Sequence, residues 1–424
     1  MMDANESGRE AVVWHRISAA TVGLLVAAMI SAACADQRDS VAKIAEPVAA
    51  LFRPIDAGAT DANVSVQWNG VARSLVASHN TNGPMASRVY ALVSVAQFGA
   101  VRATRAEHDD DGDGQGGERG AVVDAAIARA SANVLTGLYP DAASAAVIAA
   151  ALDGDTGPAR GDSIGAAVAQ AVLARAATDG AAAANCPATP PTPASQFWHD
   201  DAVPPNPQPV LPCFGSVRTW LGIDVTQFRA GPPPAFASQE FLAGLAEVRQ
   251  ISDTRTAAQL AIVDTWLDGN NSRQPPGHWN LIASDLITRN HIGAAHAARV
   301  FAVLNIAMMD THVACWDRKY TYWEIRPWMV DPLITTPRGQ PHHPANPSGH
   351  ACAGGAGSGA LAGFFPAIGD SLRALGGEEG FSTVLSGVHF RFDVDEGLLI
   401  GHTIAEKALA VRDLGALLGV SDRR

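Results

Sequence analysis

Charged side chains are scarce in this sequence of 424 residues, because aspartate, glutamate, lysine and arginine together make up only 17%. The acidic residues number 42 and the basic ones 30, which leaves a formal net charge of −12. A general affinity for nucleic acid requires an excess of basic residues, so this composition argues against nucleic acid as a partner. A positive pocket remains compatible with an acidic chain, since local charge decides the sign of a ligand.

Cysteine is also rare, with 5 residues in the whole chain. No two of them have the C-x-x-C spacing, so a zinc site of that kind is not indicated. Cys186 and Cys213 flank a proline-rich stretch. In an exported protein these two could be joined by a disulfide, and a pair of buried free thiols is the alternative.

A long apolar run near the N-terminus, over 17–33, follows several basic residues and precedes a group of small ones. This order is typical of a signal peptide, here with cleavage after Ala35. Lipoprotein processing at Cys34 and an uncleaved membrane anchor are the alternatives. We therefore predict an exported protein, periplasmic or extracellular, that contacts a membrane only through such an anchor.

Aromatic residues make up 6% of the chain and β-branched runs are few, whereas alanine is abundant. This composition favours helices over sheets. Apolar residues recur at three- and four-residue spacing, for example at Met85, Val89, Leu92 and Ala96. The spacing is typical of one buried helix face, so we predict an all-α protein made of two packed helical bundles.

Proline divides the chain, because 12 of the 26 prolines lie between Pro187 and Pro234. Proline at this density prevents a continuous helix, so we expect this segment to wrap the surface. The predicted domains are a signal peptide over 1–35, an N-terminal helical bundle over 36–186, a proline-rich connector over 187–235 and a C-terminal helical bundle over 236–424. The predicted helices cover 40–52, 85–105, 120–138, 142–152, 163–177, 238–251, 257–268, 278–289, 292–326 (as one helix with a break or as two), 350–365 and 389–412.

Lys319 and Arg326 are the basic residues of a first segment that suggests chemistry. Seven residues are nearly two helical turns, so the two would share a helix face about 10 Å apart along the axis. Arginine offers a planar fork and lysine a point charge, and both side chains are long enough to reach one anion. We expect Pro327 to end this helix. A solvated basic helix face is the alternative interpretation.

Ser348, Gly349 and His350 form a second segment, which opens a helix of small residues. Backbone N–H groups at a helix N-terminus attract anions, and glycine lets an oxyanion approach the backbone. The serine hydroxyl can donate a hydrogen bond, and the histidine can act as an acid–base group. A plain helix start with an exposed histidine is the alternative.

His389 and Asp393 form a third segment, and their four-residue spacing makes them neighbours on a helix. If Asp393 accepts a hydrogen bond from Nδ1 of His389, Nε2 keeps a lone pair for a metal or a phosphoryl group. A structural, hydrogen-bonded histidine is the alternative.

Together, the patterns Lys-x6-Arg-Pro, Pro-Ser-Gly-His and Gly-x-His-x3-Asp resemble the vanadium-dependent haloperoxidases. These enzymes are similar to the type 2 phosphatidic acid phosphatases and the bacterial acid phosphatases. The three motifs cover residues 319–393, and a weaker likeness to the bacterial haloperoxidase-like group extends to 275–280 and 314–317. The family is helical, in agreement with the composition.

The resemblance implies a role for each residue of the three motifs. The equatorial oxygens of vanadate, or of phosphate at the same site, would be held by Lys319, Arg326, Ser348 and Gly349. His350 would be the acid–base group. His389, oriented by Asp393, would be the vanadium ligand, or the nucleophile that accepts a phosphoryl group in a phosphatase.

Thr383 marks a departure from the family, whose third motif begins with Ser-Arg six residues before the histidine. Here those positions are Ser382 and Thr383. We expect the chain to turn at Ser386 and Gly387 so that Thr383 approaches the anion and donates a neutral hydrogen bond. A neutral bond is weaker than a charge-assisted one, so the predicted loss of oxoanion affinity is roughly tenfold.

Three functions therefore compete. The first prediction is a vanadium-dependent haloperoxidase that oxidises halide with hydrogen peroxide. The second is a phosphatase in which the same residues cleave a phosphate ester. The third is a degenerate oxoanion-binding protein, which the loss of arginine at 383 motivates. The halide, the organic acceptor and the oligomeric state stay open.

Overall fold

The computed structural model describes residues 63–108, 116–153, 157–200 and 209–411. These residues all belong to one compact unit, Ile55–Arg424. The predicted signal peptide and the helix predicted over 40–52 lie outside the described residues. The predicted domain limits remain predictions.

The described residues form thirteen α-helices and contain no β-strand, which confirms the all-α prediction. In the N-terminal half they are α1 Val64–Ser78, α2 Gly83–His108, α3 Gly116–Leu138, α4 Ala142–Leu152 and α5 Ala159–Ala176. After the connector they are α6 Gln239–Thr254, α7 Ala257–Thr265, α8 Gln274–Arg289, α9 Ala294–Tyr322, α10 Pro327–Val330, α11 Gly349–Phe364, α12 Gly369–Leu385 and α13 Arg391–Ala410.

Helix α9 forms the centre of the fold and packs against α2 from the N-terminal half and against α11 and α13. Its own buried residues lie on every face, as in a helix enclosed by protein on all sides. By length and composition both α9 and residues Arg119–Leu138 of α3 could cross a membrane, but α9 is almost wholly covered by protein. It is therefore a core helix that holds the two halves together.

Helix α12 is not predicted from the sequence, because it contains four glycines, which lower helix propensity. Its glycines allow close packing against α11. A Cβ on Gly376 would lie 2.5 Å from the carbonyl oxygen of Gly354, a distance that no side chain permits. The close helix pair therefore offsets the low propensity of α12, and it brings the end of α12 to the start of α11.

Helix α1 is also missed by the sequence pattern. Its N-terminus is capped by Asn63, whose side chain accepts hydrogen bonds from the backbone N–H groups of Ser65 and Val66. The indole of Trp68 is fully buried. Capping and burial together stabilise a helix that composition alone does not predict.

The connector is held against the body of the protein at several points. The guanidinium of Arg318, from α9, donates hydrogen bonds to the carbonyl oxygens of Phe228, Ala230 and Gly231. The side chain of Arg318 is buried and also contacts Asn346, in the loop before α11. One arginine thus fastens the connector beside the segment that carries the second motif.

The described part of the chain contains two disulfides. Cys186 and Cys213 are bridged, with their Cα atoms 5.7 Å apart, so the first of the two alternatives for this pair is correct. Cys315 and Cys352 form a second disulfide, which the sequence does not predict. It joins α9 to α11, the two helices from which the first and second motifs extend.

Candidate active site

Four segments bring the residues of the three motifs together. They are the C-terminal end of α9 with the turn that follows, the N-terminus of α11, the C-terminal end of α12 and the chain that enters α13. Each segment is a helix end, where backbone groups are not used by the helix itself.

The first motif does not lie on one helix, which corrects the prediction from its spacing. Helix α9 ends at Tyr322, because Trp323 adopts a left-handed conformation with φ of 52°. Arg326 then lies outside the helix, and Pro327 begins α10 rather than ending α9. The reversal of the chain at Trp323, rather than a shared helix face, brings Arg326 back toward Lys319.

Lys319 is completely buried. Its ammonium group donates to the carbonyl oxygens of Pro344 and Ala345, each at 2.8 Å, and to that of Pro347. Burial and the neighbouring positive charge of Arg326 lower the pKa of Lys319 well below its usual value. Lys319 therefore holds the loop before α11, and it contributes charge to the site through space.

Arg326 is completely buried and makes the most contacts in the site. Its guanidinium donates to the carbonyl oxygens of His343 and Val388. Nη1 also lies 2.8 Å from Nε2 of His389. Burial lowers the pKa of Arg326 to about 9, which leaves the side chain charged at neutral pH.

His389 is held by hydrogen bonds at both ring nitrogens. Nδ1 lies 2.9 Å from Oδ2 of Asp393, as predicted, and Nε2 faces Arg326. Arginine cannot accept a hydrogen bond, so Nε2 must carry a lone pair and Nδ1 the proton. Burial, reinforced by Arg326 and Lys319, keeps the pKa of His389 well below its usual value. Its ring is therefore neutral, with the unprotonated nitrogen toward the cations.

The helical explanation of this histidine–aspartate contact is wrong, although the contact itself is present. His389 precedes α13, whose N-cap is Phe390, and Asp393 lies in the first turn. The carboxylate of Asp393 also accepts hydrogen bonds from the side chain of Asn346 and the backbone of Phe390. Burial raises the pKa of Asp393 to about 6 despite these bonds, which favour the ionised form.

The second motif begins α11, as predicted. Ser348 is the N-cap, and its hydroxyl accepts a hydrogen bond from the N–H of Ala351 at 3.3 Å. The N–H of Ser348 donates to the backbone oxygen of Asp393, which ties the helix to the third motif. A Cβ on Gly349 would be 3.7 Å from the nearest protein atoms, those of Trp316, so packing does not demand glycine at this position.

Thr383 reaches the N-terminus of α11, as predicted. The turn at Gly387, with φ of 80°, follows the last residues of α12. The Thr383 hydroxyl lies 3.3 Å from that of Ser348, but it donates its proton to the carbonyl oxygen of Gly380 at 2.6 Å. It therefore accepts a hydrogen bond from Ser348 in this structure, and its donation to a bound anion stays a prediction.

The two arginines nearest to Thr383 in sequence do not replace the missing cation. Arg373 is exposed and lies beside Asp370 at the start of α12, about three turns from Thr383. Arg391 pairs with Glu247.

His350 lies in the first turn of α11, with Nε2 3.4 Å from the carbonyl oxygen of Leu267. The side chain is partly buried. Burial lowers its pKa, and the nearby carboxylate of Asp268 opposes that effect. His350 is therefore neutral at pH 7 and able to take up or release a proton.

His343 also lies in the site, although it belongs to none of the three motifs. Its Nδ1 accepts a hydrogen bond from Nη2 of Arg326 at 3.1 Å, and its ring lies 5.2 Å from that of Trp316. Burial and the two cations keep its pKa well below the usual value. The signal was available in the sequence, since His342 and His343 stand between two prolines just before the second motif.

Residues 296–412 match the sequence model of the PAP2 superfamily. The likeness to this superfamily lies in the C-terminal part of the chain. The match contains every residue of the three motifs, so the candidate site lies within the part of the chain that is similar to PAP2 proteins. No curated protein matches the chain in sequence.

Solved bacterial structures extend the likeness beyond these residues. A vanadium-dependent iodoperoxidase, described as the first from bacteria, aligns over 84% of this chain and 97% of its own, with 19% identity and a TM-score of 0.67. A bacterial vanadium-dependent chloroperoxidase in its holo form covers 84% of this chain and 98% of its own, with 14% identity and a TM-score of 0.64. At these identities the likeness establishes a common fold.

The charge balance of the candidate site favours an oxoanion. Two fully buried cations, Lys319 and Arg326, share the site with one carboxylate close enough to act on both, that of Asp393. Burial lowers the pKa of both cations, as expected for buried positive charges that one carboxylate compensates only in part. The N-terminus of α11 is tied to Asp393 through the N–H of Ser348, and the first N–H groups of a helix attract anions. The residues present therefore fit vanadate or phosphate.

Proposed function

We propose that this protein is a vanadium-dependent haloperoxidase, which oxidises halide with hydrogen peroxide. The observation that carries the proposal is the state of His389, whose Nε2 is kept free of a proton beside two buried cations. A nitrogen lone pair at that position is what coordination to the vanadium atom of vanadate requires. The likeness to bacterial haloperoxidases over most of the chain supports the same function.

Vanadate would be held by the side chains of Arg326 and Ser348, by the backbone of Gly349, by the charge of Lys319 and by Nε2 of His389. When bound, it supplies a Lewis-acidic centre that activates hydrogen peroxide toward attack by halide. Asp393 keeps the proton of His389 on Nδ1 and thereby fixes the direction of the ring.

His350 would exchange protons with the reactants. Its depressed pKa leaves a neutral imidazole at pH 7, which can accept a proton from peroxide and return it to the departing oxygen. Lys319 is fixed in advance by backbone carbonyls. Arg326 donates to Nε2 of His389 in this structure, and it would transfer that hydrogen bond to an oxygen of the bound anion.

A phosphatase is the second candidate, and the PAP2 match of residues 296–412 favours it. In this reaction Nε2 of His389 attacks phosphorus, the bond to the leaving oxygen breaks, and His350 in its protonated form gives that oxygen a proton. Water then releases phosphate from His389. The same buried cations would stabilise the charge on the transferred group.

A paired assay on the purified full-length protein separates the two functions. One arm contains vanadate, hydrogen peroxide and chloride, bromide or iodide, and measures halogenation of a dye. The other contains an aryl phosphate without vanadate and measures phosphate release, with added vanadate as inhibitor. The matched control in both arms is His389→Ala.

Halogenation that needs vanadate and is lost in His389→Ala supports the haloperoxidase. Phosphate release inhibited by vanadate, without halogenation, supports the phosphatase and overturns the first proposal. Inactivity in both arms, with retained phosphate binding, would identify an oxoanion-binding protein.

We also propose that the protein works outside the cytoplasm. Disulfides persist in oxidising compartments, and this chain has a disulfide at Cys186–Cys213 together with an N-terminal signal-like segment. Sequencing the N-terminus of the mature protein tests export, since a start near Asp36 or a lipid-modified Cys34 is expected. An intact N-terminus on cytoplasmic protein would contradict it.

A further inference from the structure

The imidazole of His350 is held by a backbone carbonyl. Its Nε2 lies 3.4 Å from the oxygen of Leu267. A carbonyl oxygen can only accept a hydrogen bond, so Nε2 must carry the proton in the neutral ring. Nδ1 then keeps the lone pair and is the ring atom available for proton transfer.

Leu267 belongs to a tight turn, residues 266–269, that follows α7. The turn is fastened on both sides of Leu267. Trp266 closes α7, and its indole Nε1 donates to Glu378 at 2.9 Å. The carbonyl oxygen of Gly269 accepts a hydrogen bond from the side chain of Gln274 at 2.9 Å. The direction of the Leu267 carbonyl is therefore set by its neighbours.

His278 holds the middle of the 266–269 turn. Its Nδ1 lies 2.7 Å from Oδ2 of Asp268, and both side chains are almost fully buried. Its ring also stacks on Trp266, with centroids 4.5 Å apart and planes inclined by 28°. Asp268 has φ of 31°, a conformation that side-chain bonding helps to maintain. One histidine thus contacts the residue before Leu267 and the residue after it.

We infer that His278 is a positioning residue: through Asp268 and Trp266 it fixes the 266–269 turn, whose Leu267 carbonyl holds His350 as the Nε2–H tautomer. The segment around His278, residues 275–280, lies outside the three motifs in sequence. The contacts through the 266–269 turn connect it to His350 of the second motif. The catalytic consequence depends on the proposed function, whereas the tautomer of His350 does not.

The tautomer can be measured directly by NMR on full-length protein with ¹⁵N-labelled histidine, in the absence of any oxoanion. Long-range ¹H–¹⁵N correlations distinguish the two neutral forms, and the His350 signals are identified by their loss in His350→Gln. The expected result is the Nε2–H form in the wild-type protein. Finding the Nδ1–H form would overturn the inference.

Two variants distinguish a positioning role of His278 from a role that depends only on the size of its side chain. His278→Leu keeps an apolar side chain but cannot donate to Asp268, and we expect both tautomers of His350 to become populated. In His278→Asn the amide nitrogen takes the place of Nδ1 and restores the donor, so the wild-type tautomer is expected to return. A wild-type tautomer in His278→Leu would overturn the inference.

Should His278→Leu fail to fold, Asp268→Asn provides a milder disruption of the same pair, with a partial loss of the Nε2–H form expected. An unchanged tautomer in Asp268→Asn would then overturn the inference. His402→Asn is the control, because His402 contacts Ser358, about two turns along α11 from His350. It should leave the signals of His350 unchanged.

Activity provides an independent readout if the assay of the proposed function succeeds. We expect His278→Leu to lower kcat about tenfold while oxoanion affinity changes less than about twofold, and His278→Asn to recover most of the loss. A merely structural role would lower affinity and melting temperature together, without recovery in His278→Asn. If the protein has neither activity, the proposed function fails and the NMR measurement still decides the inference.

Discussion

The two sides of the candidate site hold their groups in different ways. On the side of His389, Arg326 and Asp393 fix the ring at both nitrogens, and every contact involves a charged group. On the opposite side, Thr383 and Ser348 offer only hydroxyls, and the proton of Thr383 is used within its own helix. The charged side chains of this site are therefore concentrated beside His389, whereas the side chains at the start of α11 contribute only neutral groups.

The largest effect should come from the charged side. His389→Ala removes the only atom proposed to bond to vanadium or phosphorus, and neighbouring hydrogen bonds cannot replace such a bond. Activity should be abolished and oxoanion binding should fall sharply, as measured by turnover and by titration calorimetry with vanadate.

Asp393→Ala provides the matched comparison, because Asp393 orients the ring without touching the ligand. A smaller loss, about 10–100-fold, is expected. Near-normal turnover in His389→Ala would mean that the charged side has been assigned to the wrong residue.

His350, in the first turn of α11, should affect chemistry more than binding. His350→Ala removes the proton-transfer group at the start of α11, so turnover should fall about 10²–10⁴-fold. Oxoanion affinity should change much less. Measuring kcat and the dissociation constant of phosphate in the same variant tests this, and equal losses in both would make His350 a binding residue.

The third prediction restores a positive charge on the side of the site where Thr383 and Ser348 lie. Thr383→Arg places a guanidinium beside Ser348, where it can form a charge-assisted hydrogen bond to a bound oxoanion. Vanadate affinity should increase about tenfold, because such a bond is stronger than a neutral one. Titrating vanadate into the variant and into the wild-type protein tests this expectation. Unchanged or weaker binding would show that this corner already has enough positive charge.

The smallest predicted effect is a dependence of binding on pH. Burial lowers the pKa of Lys319, and that of Arg326 to about 9, and a bound anion should raise both again. The complex then binds more protons than the free protein, so affinity is greatest at low pH and falls as pH rises through the lowered pKa values. Sulfate is the suitable probe, since its own charge stays constant between about pH 6 and pH 9. Affinity that increases with pH would contradict a site built on these two cations.

Much of the site could be predicted from local sequence, and the errors have a common cause. The contact between His389 and Asp393 follows from their spacing and is present, although the two residues do not share a helix. The shared helix face of Lys319 and Arg326 is wrong, because the left-handed residue Trp323 ends α9 early. A single backbone reversal is invisible to a periodicity argument, since only its neighbours in space stabilise it.

By itself, the sequence determined the helical class, the three motifs and the departure at Thr383, because composition and spacing are local properties. Only the tertiary structure decided where these parts meet. Helix α12 forms against its own propensity because Gly376 packs on Gly354, and this packing brings the Thr383 hydroxyl to Ser348. The positions of His343, and of His278 with the 266–269 turn, likewise depend on the tertiary structure. Their contacts join residues distant in sequence, and burial in a shared interior gives these contacts their strength.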